Sequence, residues 1–384
     1  VGIGLAGYLT YVHLGLLRGE LLGGAACGSG AGFNCHAVTG GPWGSFLGVP
    51  LALWGALGYI AILAVSLWGR QTAEIGAQAA GLVTVLASIF VALDAGLLGV
   101  MAFVIHSYCL LCLLTYVVNV FILLAAWRGL AAPWPAAIPL AVRAAGGLVP
   151  SAAHPGSWLF WGMLLTGVLG AAGVHGTSLF MSRGTMGDIR TQIRDYIVKQ
   201  PRVHVSTDGD PVLGPPGAPL RLIEFSDFYC PACQRASKIN EVILANHRRD
   251  ASFTFKHYPL DSSCNDQVPR AVHPGACEVA AASECAHLQG KFWPFHDRVF
   301  EKGHEYPLSQ IEEDAQALGM DMTAFRACRA SGEGMNAVKR DIAEAAKFRV
   351  PSTPTYVIND IPMAGMLNPA TFEHMAAVLK EAKR

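Results

Sequence analysis

Charge is spread along this chain so unevenly that it dictates two kinds of folded region. Before Arg183 the only charged side chains are Arg18, Glu20, Arg70, Glu74, Asp94, Arg128 and Arg143, and the first lysine is Lys199. The stretches between those charges are apolar. A helix needs about 20 apolar residues to span a bilayer, and residues 1–17, 48–68, 76–105, 107–127 and 158–181 reach or approach that length. They are read as the helices of an all-α transmembrane bundle. After Lys199 the composition is that of a water-soluble domain, and 384 residues leave room for both. The formal net charge is zero, which gives no support for nucleic-acid binding.

The run 76–105 is long for one crossing and carries Asp94, so it is expected to tilt or protrude. His106-Ser107 leaves only a tight turn before the next run. A glycine-rich loop, 18–47, follows the first run. A Pro/Ala-rich connector, 128–155, precedes the last and is expected to lie along the opposite membrane surface. The chain begins at Val1 inside an apolar run, without a charged n-region or a small-residue cleavage site. Its start is read as the continuation of a longer sequence, not as a cleavable signal.

The expected organisation is a four-helix membrane domain at 1–127, a connector and fifth helix at 128–182, a polar helix or linker at 183–207, and an α/β domain at 208–384. Turn residues at Asp208-Gly-Asp-Pro and through 214–219 open the last domain. Strands are expected at 220–228, 252–258 and 355–358. Helices are expected at 230–247, 276–301, 309–318, 322–330 and 335–348, with a closing helix from Pro369. Strand–helix–strand, a helical insertion, then strand–strand–helix is α/β in class.

Ten cysteines occupy both parts. Cys109-Leu-Leu-Cys112 lies at the edge of an apolar run, and Cys230-Pro-Ala-Cys233 follows a strand in the soluble part. Two sulfurs three residues apart on one helical turn switch between dithiol and disulfide with little backbone motion. A zinc ribbon needs both knuckles in one small unit, whereas these lie in different domains, so no metal is expected. Counting crossings places the loop 18–47, the turn at His106 and everything after the fifth run on one side, together with all ten cysteines. Arg70, Arg128 and Arg143 on the other face agree with the positive-inside rule, although Arg183, Arg190 and Arg194 follow the last helix on the cysteine face. Disulfides persist outside the cytoplasm, and the cysteine face is assigned there.

Cys230 opens a helix, where unpaired N–H groups and the helix dipole favour thiolate. Cys233, one turn in, is expected to be more buried and to act as the resolving thiol. Far downstream, Val350-Pro-Ser-Thr-Pro354-Thr precedes a strand. In this combination residues 208–384 resemble the DsbA-type thioredoxin-like proteins, helical insertion included. The resemblance implies that Pro354 is cis and faces the Cys230 sulfur, and that Thr353 helps hold the substrate backbone. It implies too that Glu224 is the buried acid that takes a proton from Cys233; an exposed strand glutamate is the plainer alternative. Cys264, Cys277, Cys285 and Cys328 allow three connectivities. Cys285 in SECAH and Cys328 in FRACRAS stand where related domains carry a structural pair, which implies a Cys285–Cys328 bridge and, with it, a Cys264–Cys277 clip.

Cys27 and Cys35 in the glycine-rich loop, Gly48-Val-Pro50, and Cys109–Cys112 followed by Thr115-Tyr116 and Asn119 resemble the vitamin K epoxide reductase family over about 1–127. Its bacterial members are fused to a thioredoxin-like domain through a fifth helix, the same order of parts. The resemblance implies a four-helix bundle around a quinone, ubiquinone or menaquinone, with Cys112 nearest the ring and Cys109 exchanging with Cys27 and Cys35. It implies a multi-pass protein of a bacterial inner membrane, its cysteines and thioredoxin-like domain facing the periplasmic or extracellular side. One position departs: where the family has Ser or Thr on a short helix capping the quinone pocket, this chain has Gly41. Ser45 or Thr39 is expected to substitute. Tyr116 is read as a phenol facing the quinone or as a packing ring. Asp94 is read as a proton relay or as a neutral acid bonded to a neighbouring helix, and Trp43 and Phe46 as interfacial anchors.

The function expected from these readings is disulfide-bond formation. Reduced exported proteins are the dithiol substrates, and electrons pass through Cys230–Cys233, Cys27–Cys35 and Cys109–Cys112 to the quinone pool by thiolate attack and mixed disulfides. The alternative is a transmembrane carrier supplying reductant for disulfide reduction or isomerisation outside the cytoplasm. That reading requires a cysteine pair reachable from the cytoplasmic face, and the sequence offers none.

Overall fold

The computed structural model describes residues 1–17, 22, 33–130, 132–149, 155–183 and 186–381. Two compact units divide at Gly187–Asp188.

The first unit is helical: α1 (Gly2–Leu17), α2 (Cys35–Gly40), α3 (Leu51–Trp68), α4 (Ala73–Val100), α5 (Leu110–Leu130), α6 (Ala137–Gly147) and α7 (Pro155–Arg183), with a two-strand ribbon, β1 (Ser45–Phe46) and β2 (Val49–Pro50), ahead of α3. Among the described residues, four helical segments are long and apolar enough to cross a membrane: Leu51–Trp68, Ala73–Ile105, Leu110–Leu130 and Ser157–Gly176. The first apolar run forms α1, whose 16 residues rise about 24 Å, short of the ~30 Å hydrocarbon core. Leu93, Phe121, Leu165 and Leu169 stay exposed, as side chains facing lipid would.

Thr72 caps α4 by accepting from the Ile75 N–H, and the helix ends in a π-helical turn, Met101–Ile105. His106 at φ 55 then reverses the chain. The connector read as lying along a surface contains α6, whose Ala137, Ala141 and Ala144 form one buried stripe. Its backbone approaches α4 so closely that a Cβ on Gly81 would meet the Leu140 Cβ at 2.5 Å. Ile62, Val65 and Trp68 of α3, Ala79 and Val83 of α4, Ala144, Leu148 and Phe160 share one core.

In the second unit the polar segment after Arg183 contains a helix, α8 (Met186–Lys199). Arg194 pairs with Glu381 at 2.9 Å and the Tyr196 hydroxyl donates to the Pro362 carbonyl. The sheet comprises β3 (Val212–Leu213), β4 (Leu220–Ser226), β5 (Ala251–His257), β6 (Thr355–Ile358) and β7 (Ile361–Ala364), in the order β3-β5-β4-β6-β7. β4 runs parallel to β5 and antiparallel to β6. As the central strand it is buried on both faces, which explains its near-continuous apolar run. Asn359 and Asp360, both at positive φ, make the two-residue turn joining β6 to β7. The edge strand β3 is too short to show a period and was not expected.

The helices are α9 (Pro231–Asn246), α10 (Ala276–His287), α11 (Phe292–Lys302), α12 (Ile311–Ala317), α13 (Met322–Ser331), α14 (Glu333–Ala346) and α15 (Pro369–Glu381). The single helix expected at 276–301 is two, α10 and α11, broken where Gly290 takes φ +68. Phe228, Phe255, Phe292, Phe295, Phe300 and Phe325 build the core between sheet and insertion, and Cys233 belongs to it.

Candidate functional site

Cys230 is the N-cap of α9, with Pro231 at the first helical position. A proline there costs nothing, since the N–H it lacks would be an orphan. Both cysteines of the pair are thiols, and Cys233 is wholly buried while Cys230 is 7 % exposed. The Cys233 thiol, with Thr353 and the N–H groups of Cys233 and Ala232, bonds to the Cys230 sulfur and outweighs its burial, bringing the Cys230 thiol down to about 5. Burial pushes Cys233 the opposite way, helped by the charges of Cys230 and Glu224. One sulfur is thus a thiolate at neutral pH and the other a thiol, the division a nucleophile and a resolving group need.

The Thr353-Pro354 peptide is cis, and the Thr353 carbonyl lies 3.6 Å from the Cys230 sulfur. Glu224 is buried on β4, in register with Tyr356 of β6. Asn240 of α9 donates to its carboxylate at 2.6 Å, and the Tyr356 hydroxyl donates to Asn240. Burial pushes the Glu224 carboxyl up to about 7, so it can hold or release a proton beside Cys233 near neutrality.

Asp227 and His273 were not anticipated. Asp227, buried, accepts from the N–H groups of Tyr229 and Leu260 and meets the His273 ring at 2.7 Å. It thereby holds the turn that delivers Cys230. Its hydrogen bond raises the His273 pKa, and the Cys230 charge adds to this. The partners lie 46 residues apart, with no local pattern linking them. Cys264 is bonded to Cys277 and Cys285 to Cys328. The first bridge closes the loop that carries His273, and the second joins α10 to α13.

In the helical unit Cys109 and Cys112 are disulfide-bonded, and the Cys112 N–H donates to the Cys109 sulfur at 3.1 Å. Asn34 caps α2 through the Ala37 N–H and donates its own N–H to the Tyr108 carbonyl. Cys35, the first residue of α2, therefore enters the buried cluster that contains Cys109, with Cys112 and Tyr116 packed against it. Cys27, its expected loop partner, lies outside the described residues.

Cys112 lines a cavity of about 220 Å³, walled by Leu9, Val38, Phe90, Leu97 and Met101 among other apolar residues. The polar groups on its wall are few: His13, Thr39, Tyr59, Asp94, Thr115, Tyr116 and Asn119, with the Trp43 and Trp54 rings. Apolar walls with a few placed polar groups suit an uncharged ring with carbonyl oxygens, and an apolar cavity of about 150 Å³ accommodates benzene. Thr39 is on the wall, its hydroxyl donating to the Cys35 carbonyl. Ser45 is exposed on β1 opposite Pro50 and is not among the lining residues. Gly44 is needed where it stands, since a Cβ there would lie 1.9 Å from the Thr39 oxygen. Trp43, Phe46 and Leu47 beside it are exposed.

Comparison with known proteins matches residues 1–127 to the vitamin K epoxide reductase family and residues 206–381 to a thioredoxin family. Residues 1–127 are a vitamin K epoxide reductase family domain, followed by a thioredoxin-like domain. Over 163 residues the chain is 33 % identical to a protein named Na(+)/H(+) antiporter NhaA 1 from Mycolicibacterium vanbaalenii, covering 42 % of this chain and 25 % of that one. The chain spans about a quarter of the length of the curated relatives it matches. Among solved structures it is similar to a thioredoxin-like oxidoreductase from Silicibacter pomeroyi, with 20 % identity, 49 % of this chain and 98 % of that one covered, and a TM-score of 0.39. It is likewise similar to BdbD from Bacillus subtilis, with 22 % identity, 47 % and 97 % covered, and a TM-score of 0.39. A vitamin K epoxide reductase family domain is thus joined to a thioredoxin-like one in a chain with four membrane-length helical segments among its described residues.

Proposed function

We propose that this protein makes disulfide bonds in exported proteins and delivers the electrons to a membrane quinone, ubiquinone or menaquinone. The observation that supports this most is Cys112 on the wall of an apolar cavity inside membrane-length helices. A quinone held there supplies a two-electron, two-proton acceptor. Cys112 presents the sulfur, Tyr116 and Asn119 offer polar contacts, and the apolar wall excludes water.

At the soluble end a dithiol substrate attacks the oxidised Cys230–Cys233 pair, with the Thr353 carbonyl and cis-Pro354 beside Cys230 to align its backbone. The low pKa of Cys230 makes it a good leaving thiolate, and Glu224 takes up or returns the proton of Cys233. The reduced pair is reoxidised by Cys27–Cys35, and that pair by Cys109–Cys112. Fusion of the domains keeps the effective concentration of partner thiols high without a tight interface. Two membrane-length helices, α5 and α7, separate Cys109 from the thioredoxin-like domain. That even number supports putting Cys109–Cys112 and Cys230–Cys233 on the same face.

The test is thiol trapping after quinone is added to fully reduced protein. Cys230–Cys233 should close, and should stay open when Cys27 or Cys35 is replaced by Ser, while Cys109–Cys112 closes in both. If Cys230–Cys233 stays reduced in the unaltered protein while Cys109–Cys112 oxidises, the relay is not connected this way and the reductant-carrier reading takes its place.

A further inference from the structure

Three helices of the membrane domain contribute one polar chain to the cavity that Cys112 lines. The Tyr59 hydroxyl of α3 donates to Asn119 Oδ1 of α5 at 2.7 Å, and Asn119 Nδ2 donates to Asp94 Oδ2 of α4 at 2.8 Å. All three residues line the cavity, as do Cys112 and Tyr116. Asn119 is itself buried, and both ends of its amide are spent on the other two. This holds the Asp94 carboxyl in one place. Oδ1 of Asp94 has no hydrogen-bond partner among the described residues.

Among the described residues, no lysine or arginine lines this cavity. An uncompensated charge in apolar surroundings is expensive, so a carboxyl kept there is better suited to carrying a proton than a charge. Glue between helices needs no acid, since an amide would bond Asn119 equally well. Among the described residues, the other titratable side chains on the wall are His13, Tyr59, Tyr116 and Cys112. The Nδ1 of His13 lies 2.7 Å from the Thr39 carbonyl.

We propose that Asp94 is the proton-transferring acid of the membrane site, with Asn119 and Tyr59 as its positioning residues. This rests on the quinone-reducing reading given above. As Cys109 and Cys112 close to a disulfide they release two electrons and two protons, and reduction of a quinone consumes the same. Asp94 gives its carboxyl proton to one carbonyl oxygen of the quinone and takes back a proton released at the Cys112 thiol, so the acid is unchanged over a turnover. The second proton passes from the remaining thiol without Asp94.

The test uses the full chain in detergent, a short-chain ubiquinone as probe and a reduced dithiol peptide as electron donor. Asp94→Asn keeps the hydrogen bond to Asn119 but cannot transfer a proton. Quinone binding, read from quenching of Trp43 and Trp54 fluorescence, should be unchanged, whereas turnover should fall by about 10²-fold or more, the usual worth of a positioned general acid. Asp94→Glu should recover part of the loss. In the infrared difference spectrum of the unaltered protein, quinone binding should shift the carbonyl stretch of a protonated carboxylic acid, and Asp94→Asn should remove that band. Normal turnover in Asp94→Asn, or weakened binding with normal turnover at saturating quinone, overturns the proposal. So does an infrared spectrum in which no carboxylic acid responds to quinone. Absence of quinone reduction by the unaltered protein overturns the parent reading and this one with it, whereas reduction by both forms overturns this one alone.

Discussion

Cys109 and Cys230 hold the same position on different helices. Each immediately precedes a helix, with its partner sulfur one turn in. At α5 the surroundings are an apolar cavity with no lysine or arginine on its wall among the described residues. At α9 they are a buried acid, a cis-proline loop and an Asp227–His273 pair. The spacing alone makes a redox couple. On the function proposed above, the surroundings select its partner: a lipophilic acceptor where polar groups are scarce, and a peptide thiol where a strand-edge carbonyl and a stabilised thiolate are presented.

The sharpest way to break this contrast is to remove the sulfur on the cavity wall. Cys112→Ala should abolish quinone reduction while leaving the alkylation rate of Cys230 unchanged. Undiminished reduction would mean the cavity sulfur is not the electron donor. At the other pair, Cys233→Ala should accumulate mixed disulfides on Cys230, visible by mass under non-reducing conditions. Faster alkylation of Cys233 than of Cys230 in the reduced protein would reverse their roles.

The next effect is a titration. Alkylation of Cys230 should follow a pKa near 5, against about 8.5 for a free cysteine. Because the thiol pKa is lowered on folding, the reduced protein binds fewer protons than its unfolded chain between those values. Its stability from this source should therefore rise with pH through that window and be lost as pH falls through 5. Thermal melts of the reduced protein against a Cys230→Ser variant read this directly, and a difference independent of pH would refute it. Glu224 has the opposite sign: with its carboxyl raised to about 7, its contribution is greatest below the ordinary carboxylate range and falls as pH rises toward 7. Glu224→Gln should remove that slope and slow resolution of the mixed disulfide by an order of 10²-fold.

The smallest change concerns the loop that holds His273. Replacing Cys264 and Cys277 by Ser should cost about 3 kcal/mol of stability, as expected for a loop of this length. It should also move the Cys230 titration slightly upward by loosening the His273–Asp227 contact. A Cys230 titration that does not move would show that the contact survives without the bridge.

The division into a membrane part and a soluble part was legible in the sequence, because lipid and water select opposite compositions and the choice is made residue by residue. The helix over Leu110–Leu130, the central strand Leu220–Ser226 and the position of Cys230 at a helix start follow from local periods and punctuation for the same reason. Asp94 announced itself as a lone acid in an apolar run, but not its partners. That Asn119 and Tyr59 meet it depends on how α3, α4 and α5 rotate against one another. Likewise Asp227 finds His273, and Lys256 is buried between Asp210 and Asp341 at 2.6 and 2.8 Å, only through the packing of distant segments. Ser45 shows the converse: it was expected to substitute for the Ser or Thr missing at Gly41, yet it pairs with Pro50 and is exposed. Sequence determines which residues can carry electrons and which medium surrounds them. Which polar groups face one another is settled by tertiary structure, because a buried donor or acid must find its partner wherever the packed helices and strands place one.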